Sequence, residues 1–135
     1  MGCDIHLHTE VKIHGKWEHY GSPNVPRDYG LFALMAGVRK GNDDKPISLP
    51  RGLPKDVSTL TKFASDYMGS DGHSHSYLNA NEIIILEKYY ADQGEHWPER
   101  RWGYLFGNSW GGFIIYPEER PSGIEDVRFV FWFDN

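Results

Sequence analysis

The chain reads as a single α+β domain, an antiparallel sheet of about five strands carrying three helices. Three observations predict this. The opening segment alternates strictly, with Cys3, Ile5, Leu7, Thr9, Val11 and Ile13 on one parity and Asp4, His6, His8, Glu10 and Lys12 on the other. The closing segment Val127 to Phe133 is apolar on both parities, the pattern of a central strand. Between them lie segments with helical spacing of apolar residues.

Taken in order, the first strand ends at the turn signal His14-Gly15, which predicts a hairpin with Lys16 to Tyr20. Ser22 to Pro26 is a loop. Arg27 to Val38 reads as a helix, with Asp28 in its first turn and Tyr29, Phe32, Met35 and Ala36 at helical spacing. Lys40 to Pro54 is a Pro- and Gly-rich loop bearing Lys45 and Arg51, a functional loop or a solvated connector. Asp56 is placed to cap a short helix to about Tyr67, whose apolar stripe is Leu60, Phe63, Ala64 and Tyr67.

Asn79 and Glu82 form a capping-box pattern that starts a helix over Ala80 to Gln93, with Gly94 at its stop. Ile83, Ile84, Leu86 and Tyr90 are its expected buried positions. Trp102 to Phe113 is aromatic and glycine-rich and reads as a strand, a turn and the start of another strand. Phe113 to Tyr116 completes the strand set.

Composition narrows the function classes. With 135 residues, 39% hydrophobic and 15% aromatic, the chain carries enough apolar mass for its own core. A net charge of −5 argues against non-specific nucleic-acid binding, which needs many cations to displace counterions. A single cysteine forms no internal disulfide, and Cys3 falls on the apolar parity as an expected buried thiol. Met1 runs straight into the first strand and no stretch is long and apolar enough to span a membrane, so a cytoplasmic location is expected.

Two His-x-His pairs, each with an aspartate two residues upstream, carry the chemistry. Asp4, His6 and His8 alternate along a strand and so share one face. Asp71, His73 and His75 repeat the spacing. Imidazole with carboxylate suits Zn, Mn, Fe or Ni, so a divalent transition metal shared by the two clusters is expected. A solvated polar face is the alternative. Glu10 shares the face of His6 and His8, as a ligand, a general base on metal-bound water or a solvated carboxylate. With His8 it forms the candidate catalytic pair.

Other residues point toward a phosphorylated ligand. His73 and His75 precede the helix that starts after Asn79, and helix N-termini attract anions. Arg51, Arg100 and Arg101 are candidate phosphate clamps, or surface charges. Trp102, Tyr104 and Trp110 are placed either to stack a base or to fill the core. His19 is a further ligand or a surface residue, His14 a turn residue, and His96 structural.

Asp4-Ile5-His6-Leu7-His8-Thr9 resembles the first metal motif of the PHP phosphoesterase family, and Ser70-Asp71-Gly72-His73 resembles its late Asp-x-His motif. That family holds two or three metal ions and hydrolyses phosphate esters. The resemblance implies Asp4, His6, His8, Asp71 and His73 as ligands. It covers about ten residues, and the family's barrel needs a longer chain, so it implies shared chemistry and not shared fold. The opening Met-Gly-Cys-Asp-Ile-His and the ending Glu-Asp-Val-Arg-Phe-Val-Phe-Trp-Phe-Asp-Asn are similar to small uncharacterised proteins of tailed phages and some bacteria. That resemblance implies a phage context, where host takeover and anti-defence are common roles.

The leading expectation is therefore metal-dependent hydrolysis of a phosphate ester in a nucleotide-like small molecule. A non-catalytic protein that sequesters a nucleotide or signalling ligand is the second. A protein-binding factor whose histidines hold structural zinc or no metal is the third.

Overall fold

The structure, a computed structural model, describes residues 2–39, 41, 45–93 and 115–135. Among these residues the fold is α+β, with four strands in one antiparallel sheet and three α-helices. The expected Trp102 to Phe113 strands lie outside the described residues; of the strand expected over Phe113 to Tyr116, Ile115 and Tyr116 are described and are not in a strand.

β1 (Asp4–Ile13) and β2 (Lys16–Gly21) form the expected hairpin. His14 and Gly15 both take positive φ, 51° and 76°, as a two-residue loop must to match the twist of its strands. β3 (His73–Asn79) and β4 (Asp126–Asp134) complete the sheet, whose order is β2-β1-β4-β3. The apolar final strand is thus central, as its two-sided hydrophobicity predicts.

α1 (Tyr29–Ala36) is shorter than the expected helix because its caps close it. Asp28 is the N-cap, accepting from the Leu31 amide, and Gly37 ends the helix at φ 71°. α3 (Ala80–Gln93) starts at the capping box: the Glu82 amide donates to Asn79 Oδ1 at 2.9 Å, and the Asn79 amide to Glu82 Oε1 at 3.0 Å. Leu31, Phe32 and Met35 of α1 and Ile83 and Leu86 of α3 pack on Leu7, Phe129, Phe131 and Phe133 of the sheet. Cys3 is buried among them, as its parity predicts.

α2 (Thr59–Met68) corrects two expectations. Its N-cap is Ser58, while Asp56 is engaged by Arg128 instead. Its expected apolar stripe faces outward, with Leu60 62%, Phe63 67% and Tyr67 87% exposed, while Thr61 and Ser65 are buried. The reason lies beneath the helix. The sheet face there carries Glu10 and Arg128, so hydroxyl-bearing residues pack on it better than apolar ones.

β3 is a strand to which the sequence pattern assigned no element. Ser76 and Leu78 pair with Phe131 and Phe129 of β4, and only this tertiary pairing makes a polar His-Ser-His-Ser run extend. The pairing shifts register between His73 and Ser76, and Ser74 takes φ 55°. This bulge breaks the i, i+2 rule for the second histidine pair. His75 stacks on Trp132, whereas His73 lies against Phe133, and these two side chains leave opposite faces of β4.

Candidate functional site

The polar parity of β1 divides into a closed part and an open part. The closed part is centred on Glu10, which is fully buried. Its carboxylate accepts from Arg128 Nε at 2.8 Å and from the Ser58 amide at 2.9 Å. Arg128 reaches on to Asp56 Oδ1 at 2.8 Å and lies over the Trp17 ring at 4.0 Å. The guanidinium also holds the Asp56 carboxyl below its ordinary value. Glu10 is therefore committed to a buried ion network and does not face open water, unlike the general base expected of it.

Beside this network the histidines gather on Trp132. Its ring stacks with His8 at 5.0 Å and 19°, with His75 at 5.6 Å and 25°, and with His6 at 6.2 Å and 18°. β4 lies between β1 and β3, so the indole separates His6 and His8 from His75. Gly72 lets the chain pass close to this ring, since a Cβ there would stand 3.2 Å from Trp132 Cδ1. His8 Nδ1 and His19 Nε2 are 3.0 Å apart, so one ring donates and the other accepts. Burial, and then the neighbouring His19, push His8 down to about 4, and burial also lowers His75. His8 is thus neutral near pH 7.

The open part is the end of the sheet where β1 begins and β4 finishes. Asp4 and Asp134 are direct cross-strand partners there. Like charges so placed repel, and each carboxylate has a partner of its own. Arg27 Nε and Nη2 donate to the two oxygens of Asp4 at 3.0 and 3.1 Å, and hold this carboxyl below its ordinary value. His6 Nε2 meets Asp134 Oδ2 at 3.0 Å. On the β3 side, His73 Nε2 meets Asn135 Oδ1 at 3.1 Å and its Nδ1 meets Ser74 Oγ. His6 and Asp134 keep side-chain exposures of 34% and 29%, so solvent reaches this pair.

The six expected metal ligands are therefore divided. Asp4 and His6 share the open end with Asp134, His8 is buried with His19, and His75 lies beyond the indole. His73 lies on the other side of β4, and Asp71 is exposed in the turn before β3. Among the described residues, no group of three or more His, Cys, Asp or Glu stands ready to hold a metal as the side chains are now placed. At the open end the reason is visible: Arg27 occupies Asp4.

His73 and the start of α3, expected side by side, lie at opposite ends of β3. β3 separates His73 from the start of α3 by a seven-residue strand, about 20 Å of chain. The Glu82 amide in the first turn of α3 is already taken by Asn79. Arg51 is also engaged, donating to Glu82 Oε1 at 2.7 Å and to the Tyr77 carbonyl at 3.0 Å. A cavity of about 260 Å³ does open beside Asn79, lined by Asn81, Ile115, Arg120 and Asp126, far along the strand from the histidines. Arg100, Arg101, Trp102 and Trp110 lie outside the described residues.

Sequence reasoning passed over Arg27, Trp132, Asp134 and Asn135. The last two had a readable signal, polar residues at the mouth of an apolar central strand, which is where sheets often place their sites. Arg128 had one too, a lone charge inside an apolar strand that requires a buried partner.

No protein-family model, curated protein or solved structure matches the chain. No helix among the described residues is long and apolar enough to cross a membrane.

Proposed function

We propose that the chain is a metal-dependent phosphoesterase whose reacting centre is the open end of the sheet, at Asp4, His6 and Asp134. The observation that carries this reading is the direct opposition of Asp4 and Asp134 beside a half-exposed imidazole. Two carboxylates and one imidazole form a donor set suited to Zn, Mn, Fe or Ni. Asp4, His6 and Asp134 would hold a divalent ion, which would offset the paired carboxylates in place of Arg27. Arg27, freed from Asp4, would be placed to clamp a phosphate bidentately. The metal would supply Lewis acidity toward water and the phosphoryl oxygen. The buried Glu10 network and the Trp132 stack hold β1 and β4 in register behind this centre.

The test begins with elemental analysis of untagged protein and thermal shift with each metal. Metal binding stabilises the folded state through preferential affinity. A shift in the native protein that is lost in Asp134→Asn supports the assignment. Equal shifts in both proteins, or none in either, would sink it. Chromatography of nucleotides after incubation then separates the functions. A dephosphorylated product means hydrolysis. Intact nucleotide, released only on denaturation, means a protein that sequesters its ligand.

A further inference from the structure

Among the described residues, no element covers the outward face of α2. Leu60, Phe63 and Tyr67 follow i, i+3, i+7 spacing and form one stripe, with half-buried Ala64 beside them. The helix is anchored through its other side, where Ser58 and Thr61 join hydroxyls and the Ser58 amide binds Glu10. Single exposed apolar residues are ordinary, but three large ones on one stripe mark a contact surface.

The charges beside the stripe indicate what covers it. Lys62 and Asp66 form an ion pair along one flank of the stripe. They stand two residues to either side of position 64, and the apolar stripe runs from 60 to 67 about nearly the same centre. A helix with this layout is complementary to itself. A two-fold axis crossing α2 near position 64 lays a second copy antiparallel. Leu60 then faces the partner's Tyr67, and Phe63 packs about the axis. In an antiparallel pair each flank meets the same flank, so Lys62 meets the partner's Asp66. We propose that α2 is the two-fold interface of a homodimer of this chain.

Analytical ultracentrifugation of the full chain across a wide concentration range tests this. A dimer that dissociates on dilution is expected, and a monomer at every concentration overturns the proposal. Phe63→Glu is expected to weaken association by about tenfold or more. Its exposure lets the fold survive, and circular dichroism and melting check that. Tyr67→Ser provides a second probe should Phe63→Glu melt early. A dimer indifferent to both replacements overturns the assignment.

The charge pair supplies the sharper test. Lys62→Asp and Asp66→Lys each set like charges across the axis, and each is expected to weaken the dimer. The double exchange restores opposite charges and is expected to recover association. A double exchange no tighter than the single variants would exclude this geometry.

Discussion

His8 lies flat against Trp132, with ring centroids 5.0 Å apart and planes 19° apart. A histidine on the polar parity of a strand is thereby a packed interior residue. Its removal is expected to loosen the protein, where the alternation of β1 alone suggests a tolerated change. His8→Ala should cost about 1–3 kcal/mol in urea denaturation, because it empties one side of the indole. An unchanged unfolding midpoint would show that the stack contributes nothing.

The same burial sets a pH dependence. The unfolded imidazole takes its proton near 6.5, and the folded one near 4. Between those values the unfolded chain binds more protons, so stability falls as pH drops from about 6.5 toward 4. The expected loss across this window is about 1–3 kcal/mol, and His8→Gln should flatten it. Melting curves at closely spaced pH values read the slope directly.

Glu10 and Arg128 depend on each other. Glu10→Gln leaves a buried guanidinium short of its counter-charge, and a loss of about 3–5 kcal/mol is expected. Replacing both by apolar residues of similar volume should recover much of that loss. A double-mutant cycle by denaturation measures the coupling. A Glu10→Gln protein of full stability that has lost turnover would instead return Glu10 to the catalytic machinery.

Arg27 sets the state of the strand-end carboxylates. Arg27→Gln removes the guanidinium that lowers Asp4, so the Asp4 carboxyl should titrate at higher pH. Carboxyl NMR shifts followed across acid pH show this. Under the proposed function the same variant keeps its metal-induced stabilisation and binds phosphate compounds more weakly. Loss of both together would place Arg27 in the fold and not in ligand capture.

The cap of α3 offers a local test of the fold. Asn79→Ala removes the acceptor for the Glu82 amide and should cost about 1 kcal/mol.

These residues also show which parts of the structure were legible beforehand. β1, its hairpin, α3 with its cap, and the central placement of β4 were readable because each follows from local spacing or capping chemistry. The orientation of α2 was not. Its inner side is anchored where the Ser58 amide meets Glu10, whose partner Arg128 lies 118 residues away in sequence. The divergence of the second histidine pair was not readable, for a related reason. The bulge at Ser74 turns His73 and His75 to different faces, and nothing in His-Ser-His-Ser announces a left-handed residue. At the open end, Asp4 and His6 were readable from their spacing. Asp134 joined them only through the antiparallel register.

Cys3 is the lone thiol of the chain, fully buried, with its pKa raised chiefly by desolvation, one position before Asp4. Alkylation there requires the first residues of β1 to lift away from the sheet. The rate at which the native protein takes up a thiol reagent is thus a clock for opening at this end of the molecule. Any ligand that fastens Asp4 to Asp134 should slow that clock, whatever its identity and with no turnover required.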